Sequence, residues 1–262
     1  MIACRQNGIV YFKFHLLAGF PGLVHGVLTR LGGSSPAPCD SLNLSFKEAD
    51  APENVAANRK LAATRLGFSQ PIRFTGQVHG KTVVSLKNSE TDTEALKTAA
   101  ITGDGLLTDI PGIPIAIQLA DCQAILLYDP VRQVVGNIHA GWRGSVENIG
   151  ASAIRQMQTD FGSDPADIRA AVSPSLGPCC GEFKHYQKEL PQAFWDYRDE
   201  RDCFDFWAIT RNQLQAAGIH PEHMAFAHVC TRCNDHLFFS YRKTRPTGRF
   251  AAVIGLAEPQ SE

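Results

Sequence analysis

The sequence predicts an α+β fold in one domain spanning residues 1–262. Strand-like apolar runs at 115–119, 124–128 and 134–138 sit between helical patterns rather than taking turns with them, and the lack of regular βαβ alternation argues against a doubly wound sheet. No internal repeat, low-complexity tract or Pro/Gly/Ser-rich linker divides the chain, which is long enough to bury a substantial core.

Composition narrows the function classes. A formal net charge of −1 supplies no global basic field to recruit nucleic acid or an anionic membrane. The segment from Met1 to Gly8 lacks the apolar core of a secretory leader, and no run approaches the roughly 20 apolar residues that span a bilayer. The eight cysteines are therefore expected in a reducing, cytoplasmic setting as thiols, ligands or core residues.

Taken along the chain, residues 32–38 (Gly-Gly-Ser-Ser-Pro-Ala-Pro) read as an exposed loop. A helix is expected from Pro52 to Leu66, with Asp50 as N-cap, Glu53 three places on and Gly67 as its stop. Val55, Ala62 and Leu66 form its apolar stripe, and Arg59 completes the series. An inward Arg59 needs a partner or an anion, whereas at the stripe's edge it would snorkel to solvent. Strand-like runs at 72–74 and 82–86 flank His79, and 88–102 is polar and aperiodic, the pattern of a loop.

The middle of the chain reads as a hairpin, turning at Asp129-Pro130-Val131-Arg132. An even loop centred between Pro130 and Val131 would set Cys122 opposite His139, with Cβ atoms about 4.5–5.5 Å apart. An odd loop would put them on opposite faces. A second helix is expected after Ser145, as N-cap, with Val146, Ile149, Ala153, Ile154, Met157 and Phe161 on one face before Gly162. A third runs from Phe206 to Ala217 and ends at Gly218, and 237–241 and 250–256 return to strand-like runs.

Cys122 and His139 thus form either a metal-binding pair or a nucleophile and its base, and His79 is a candidate third ligand. Three protein ligands with an open position describe a catalytic rather than a structural zinc site. Cys230 and Cys233, flanked by His228 and His236, have metal-like spacing, but core packing is the favoured reading. Cys179 and Cys180 are adjacent, a poor geometry for a disulfide, and Thr102-Gly103-Asp104-Gly105 reads as a turn.

Gln77-Val78-His79-Gly80, Ala120-Asp121-Cys122, His139-Ala140-Gly141-Trp142-Arg143-Gly144 and Phe238-Phe239-Ser240-Tyr241-Arg242 occur in the order seen in the YfiH-like purine nucleoside phosphorylase family, also called the laccase-domain and formerly the polyphenol oxidase family. The chain resembles this family from about His25 to Ile254, with further similarity at Thr29 to Ser34, Ser41 to Leu44 and Asn58-Arg59. The resemblance implies mixed sheets packed together and flanked by helices, and one zinc ion on His79, Cys122 and His139. It also implies phosphorolysis of adenosine, inosine and S-methyl-5′-thioadenosine to free base and pentose 1-phosphate, with adenosine deamination besides. Two positions depart from the family's pattern. Ser173 stands where glycine is common, and Gly181 where a tyrosine usually follows the cysteine pair, so the substrate wall is the part most open to change.

The candidate catalytic residues are accordingly Cys122, Asp121 and Arg143. Asp121 would orient the site or act as an acid/base. Arg143, just before a helix start that favours anions, would bind phosphate with help from Arg59. Asn43 and Gln77 are candidate partners for ribose or base. The expected partners are purine nucleosides and phosphate, with no nucleic acid and no membrane. Three rivals use the same residues: a metal-independent hydrolase with Cys122 as nucleophile and His139 as base, a copper-dependent phenol oxidase, and a non-catalytic zinc-stabilised binding protein. Copper ranks below zinc because the multiple His-rich motifs of multi-electron oxygen chemistry are lacking.

Overall fold

The computed structural model describes residues 1–6 and 8–258. Its strands are β1 (Ile2–Gln6), β2 (Ile9–Lys13), β3 (Leu23–Leu28), β4 (Arg73–Phe74), β5 (Val83–Leu86), β6 (Gly105–Thr108), β7 (Ile115–Leu119), β8 (Gln123–Asp129), β9 (Val134–Ala140), β10 (Arg169–Val172), β11 (Met224–Phe226) and β12 (Phe250–Leu256). Its helices are α1 (His15–Ala18), α2 (Pro52–Leu66), α3 (Glu90–Thr98), α4 (Trp142–Val146), α5 (Ile149–Phe161), α6 (Tyr186–Glu189) and α7 (Phe206–Ala216). The strands form two six-stranded sheets, ordered β1-β2-β3-β12-β7-β4 and β11-β10-β8-β9-β6-β5. Both sheets mix parallel and antiparallel pairs, and the fold is α+β as the sequence predicts.

The side-chain period of two explains the layering. On β8, Ala124, Leu126 and Tyr128 face the first sheet, meeting Ile115, Ile117 and Ile254 in the central core. The intervening Ile125 and Leu127 pack against Ala153, Ile154 and Met157 of α5 and Leu214 of α7. On the far side of the first sheet, Ala116, Ala251 and Val253 are covered by Ala62 and Leu66 of α2. Helix, sheet, sheet and helix thus stack, so the central strands are buried on both faces and read as continuous apolar runs. Asn137 of β9 crosses the core: its Nδ2 donates to the carbonyls of Ile115 (3.2 Å) and Ala252 (2.9 Å), tying one sheet to the other.

Helix α2 has the expected bounds, with Pro52 in its first turn and Gly67 in the left-handed region at φ 89° closing it. Its N-cap is Ala51, with no side-chain cap. Asp50 instead accepts hydrogen bonds from Asn43 (2.9 Å) and Asn54 (3.1 Å). The expected loop at 88–102 contains α3, capped by Ser89, which accepts from the Asp92 amide. Only Leu96 of α3 is buried, so there is no apolar stripe to betray the helix. The single helix expected after Ser145 is two. Ser145 lies buried inside α4, and Asn148, at φ 53°, caps α5. Residues 237–241 are turns rather than a strand: the amides of Leu237 and Phe238 both bond the Asn234 carbonyl, and Phe238 fills the core against Phe250.

The β8–β9 register is displaced from the expected one. Ala124, not Cys122, lies opposite His139, and the loop holds Pro130 to Gln133. Asp129 Oδ1 accepts the amides of Val131 (2.8 Å) and Arg132 (3.0 Å), and Gln133 takes φ 55°. This side-chain-closed turn moves the loop centre one residue towards the C-terminus. The register shift is even, so Cys122 keeps its side of the sheet while lying one step beyond the last pair.

Candidate functional site: a His–Cys–His cluster beneath an arginine-lined cavity

His139 is the penultimate residue of β9, Cys122 precedes β8 and His79 comes from the turn between β4 and β5. One ligating atom from each lies within 4.8 Å of the others. The two imidazoles meet edge to face, with centroids 4.8 Å apart. His139 is buried, Cys122 half-buried and His79 exposed at the cavity. Two hinge residues carry backbone angles rare for side-chain-bearing residues, His79 at φ 62° and Asp121 at φ 95°. Such outliers persist where surrounding bonds over-determine them, and functional sites are where they gather.

At His79 those bonds come from Asp104, a residue that the sequence assigns to a mere turn. Its fully buried carboxylate accepts the amides of Val78 (3.3 Å), His79 (2.9 Å) and Gly80 (2.8 Å). It also accepts Nδ1–H of His139 at 2.8 Å. One side chain therefore fixes the backbone of one histidine and the tautomer of the other, leaving Nε2 of His139 to face Cys122. The signal was an acidic residue at the mouth of an otherwise apolar strand. Burial raises the Asp104 carboxyl, but the bonds from His139 and the Gly80 and His79 amides hold it below the usual range.

The electrostatics of the three side chains reinforce one another. Burial alone would push the Cys122 thiol up, yet His139 and then His79 bring it down to about 6. Burial would lower His139, but Cys122 and Asp104 raise it to about 9. The proximity of His139 thus favours the thiolate form of Cys122, and that of Cys122 and Asp104 the protonated form of His139. Gly141 completes the arrangement: a Cβ there would lie 3.3 Å from the Cys122 sulfur, 3.4 Å from His79 and 3.6 Å from His139. Glycine keeps that space open. A thiolate, two imidazoles, a carboxylate behind one of them and free volume in front are a donor set suited to zinc or another borderline cation.

The cluster forms part of the lining of a cavity of about 570 Å³. Trp142, Phe183, Phe206 and Tyr241 give it aromatic surface, and Arg143, Arg242, Arg245, Arg249 and Lys47 give it positive charge. Arg143 lies within the short helix α4 rather than before a longer one, and its guanidinium stacks 4.2 Å from the Trp142 ring. Arg249 pairs with Glu48 at 3.0 Å.

The remaining candidates are placed differently from expectation. Asp121 lines the cavity, but both its oxygens are engaged, accepting Thr231 Oγ1–H (2.6 Å) and the Arg242 amide (2.7 Å). It binds two loops together rather than bonding a metal ligand. Gln77 also lines the cavity, yet its amide pairs with the backbone of Gln118, accepting N–H at 2.8 Å and donating to C=O at 3.0 Å. Asn43 and Arg59 are not in the lining. Asn43 is fully buried and accepts the amides of Ser45 and Arg249, so it sets the backbone of a cavity arginine. Arg59 does face inward, but its partners are rings: its guanidinium stands 4.0 Å from Phe74 and 4.4 Å from Phe46, and Nε donates to the Leu44 carbonyl. Burial, then Arg73, lowers it to about 10.

Of the two departures, Ser173 uses its hydroxyl, which accepts the Ala124 amide (2.9 Å) and donates to the Pro174 carbonyl (3.0 Å). At Gly181 a Cβ would lie 2.8 Å from the Phe204 carbonyl oxygen, so this chain's backbone excludes the tyrosine expected there.

Residues 24–257 match the family profile described as multi-copper polyphenol oxidoreductase laccase. The chain belongs to that family. Among its relatives, this laccase-family chain is 34% identical over 254 residues to a protein named purine nucleoside phosphorylase YlmD from Geobacillus stearothermophilus, covering 91% of this chain and 92% of that one. It is 33% identical over 238 residues to purine nucleoside phosphorylase YfiH of Escherichia coli strain K12, covering 87% and 91%. The crystal structure of Bacillus licheniformis hypothetical protein YfiH superposes with a TM-score of 0.84 at 32% identity, covering 96% and 97%. The fold and the family expected from the motifs are both borne out.

Proposed function

We propose that this protein is a cytoplasmic purine nucleoside phosphorylase whose His79, Cys122 and His139 hold one zinc ion. The observation that carries the proposal is the meeting of those three side chains in the wall of a cavity that is both aromatic and cationic. The naming of the relatives supports the same activity.

Phosphorolysis joins a phosphate oxygen to C1′ of the pentose as the C1′–N9 bond breaks, yielding pentose 1-phosphate and a purine that takes up a proton. The aromatic side chains Trp142, Phe183 and Tyr241 offer faces on which a base can lie. Arg143 is the phosphate handle, held in place by its stack on Trp142, and the guanidinium groups of Arg242 and Arg245 add positive charge to the same cavity. A phosphate so held stabilises positive charge spreading over the ribose in the transition state. Held by His79, Cys122 and His139, a zinc ion would supply Lewis acidity. Asp104 keeps His139 in the ligating tautomer, and Asp121 keeps Thr231 and the Arg242 backbone at the cavity edge. Adenosine, inosine and S-methyl-5′-thioadenosine are the proposed substrates, with deamination of adenosine as a side activity.

A second reading is favoured by one observation, the closeness of Cys122 to His139, which brings the thiol down and the imidazole up. That pair is what a metal-independent Cys/His hydrolase would use. Product identification separates the readings: protein of measured metal content is supplied with adenosine and phosphate. Ribose 1-phosphate and adenine are expected, with a smaller yield of inosine. Free ribose without ribose 1-phosphate, from metal-free protein that iodoacetamide inactivates, would replace the proposal with the hydrolase.

A further inference from the structure

Four of the cysteines converge at a second place. Cys179 and Cys180 lie in the turns after β10, and Cys230 and Cys233 in the turn after β11. Their sulfur atoms all lie within 4.8 Å of one another, and Cys233 Sγ is 3.6 Å from both Cys179 Sγ and Cys180 Sγ. None is in a disulfide. His228, which sequence spacing offers as a ligand, instead packs on Trp207, with ring centroids 5.4 Å apart.

The spacing fits a cation better than a set of bare thiols. Four sulfurs about 2.3 Å from a tetrahedral zinc ion stand about 3.8 Å from one another, close to the separations seen here. A disulfide would need about 2.05 Å. The two segments are brought together by backbone bonds that need no ion: Ser175 N–H donates to the Val229 carbonyl (3.1 Å) and Thr231 N–H to the Ser175 carbonyl (3.0 Å). Gly177 permits the approach, since a Cβ there would lie 3.1 Å from Cys230 Cβ.

We propose that Cys179, Cys180, Cys230 and Cys233 form a second metal site, a closed four-thiolate site for a soft divalent ion of the zinc class. With four protein sulfurs no position remains for water or substrate, so the site is structural. It clamps the segment carrying Ser175, Leu176 and Gly181 to the one carrying Thr231. The first three line the cavity, and Thr231 holds Asp121. The ion therefore braces the substrate wall without touching the His79–Cys122–His139 cluster.

The test is elemental analysis of full-length protein purified without chelator, as wild type, Cys122→Ala and Cys230→Ser/Cys233→Ser. The double variant is expected to carry about one ion per chain fewer than wild type, and Cys122→Ala to retain that ion. Cys122→Ala protein loaded with cobalt(II) should show the intense visible bands and near-ultraviolet charge transfer of tetrahedral thiolate ligation. That spectrum decides the matter by itself should the double variant fold poorly. Equal metal content in wild type and double variant, a cobalt spectrum without thiolate bands, or freshly isolated metal-free protein whose mass shows these thiols as disulfides would each overturn the proposal. Because Cys122→Ala removes only the first cluster, failure of the catalytic reading leaves this test intact.

Discussion

Asp104→Asn isolates the residue on which both histidines of the cluster depend. The carboxylate accepts four N–H groups, two on each oxygen: His79 and His139 on Oδ1, Val78 and Gly80 on Oδ2. An amide has one oxygen, so whichever way it turns, its NH₂ confronts two of those donors. At about 1–3 kcal/mol for each buried group left unpaired, the substitution should destabilise the fold by about 2–6 kcal/mol. If the NH₂ faces His139, the ring can answer only by accepting at Nδ1, which moves its proton to Nε2 and removes it as a ligand. Zinc affinity should then fall about 10- to 100-fold, the usual consequence of losing a carboxylate behind a ligating histidine. Denaturant unfolding of the metal-free protein reads the first quantity, and competition with a chromogenic chelator the second. An Asp104→Asn protein that matches wild type in both stability and zinc affinity would refute the role assigned to Asp104.

Three further outcomes are expected. In metal-free protein the Cys122 share of the thiolate absorbance, read as wild type minus Cys122→Ser, should persist until the pH falls through about 6; titration of that difference at about 8.5, as for a free thiol, would contradict the geometry. The sign matters here. The lowered Cys122 value adds stability that is lost as pH falls through about 6, whereas the raised His139 value adds stability that is lost as pH rises through about 9. Between those limits the two slopes oppose each other, so absorbance rather than unfolding is the informative readout. Arg143→Ala should raise KM for phosphate roughly tenfold or more while metal content stays unchanged, and unaltered phosphate kinetics would remove Arg143 from the binding site. Gly141→Ala would set a methyl carbon 3.3 Å from the Cys122 sulfur and should lower zinc affinity, read by the same chelator competition; wild-type affinity would show that the cluster has slack.

Where the sequence was legible, local chemistry decided the outcome. Pro52 and Gly67 bound α2 because one suits a first helical turn and the other takes φ 89°. The side of the sheet on which Cys122 falls was readable from the parity of the hairpin, although its register was not, since the Asp129 side chain re-centred the turn. Tertiary facts were hidden. Asp104 looks like a turn residue until β9 brings His139 beside it. Cys179 and Cys180 acquire partners only when the segments after β10 and β11 pair, about fifty residues apart. The stripe left Arg59 either inward or at its edge; it faces inward, and the aromatic partners that satisfy it come from other segments of the chain, so the sequence does not reveal them.

The central claim, that catalysis runs through the His79–Cys122–His139 cluster, is tested most directly by Cys122→Ala assayed for metal content, fold and ribose 1-phosphate formation on one preparation. The account predicts a folded protein that has lost the ion of this cluster and with it phosphorolysis. A folded Cys122→Ala protein that forms ribose 1-phosphate at the wild-type rate would contradict it.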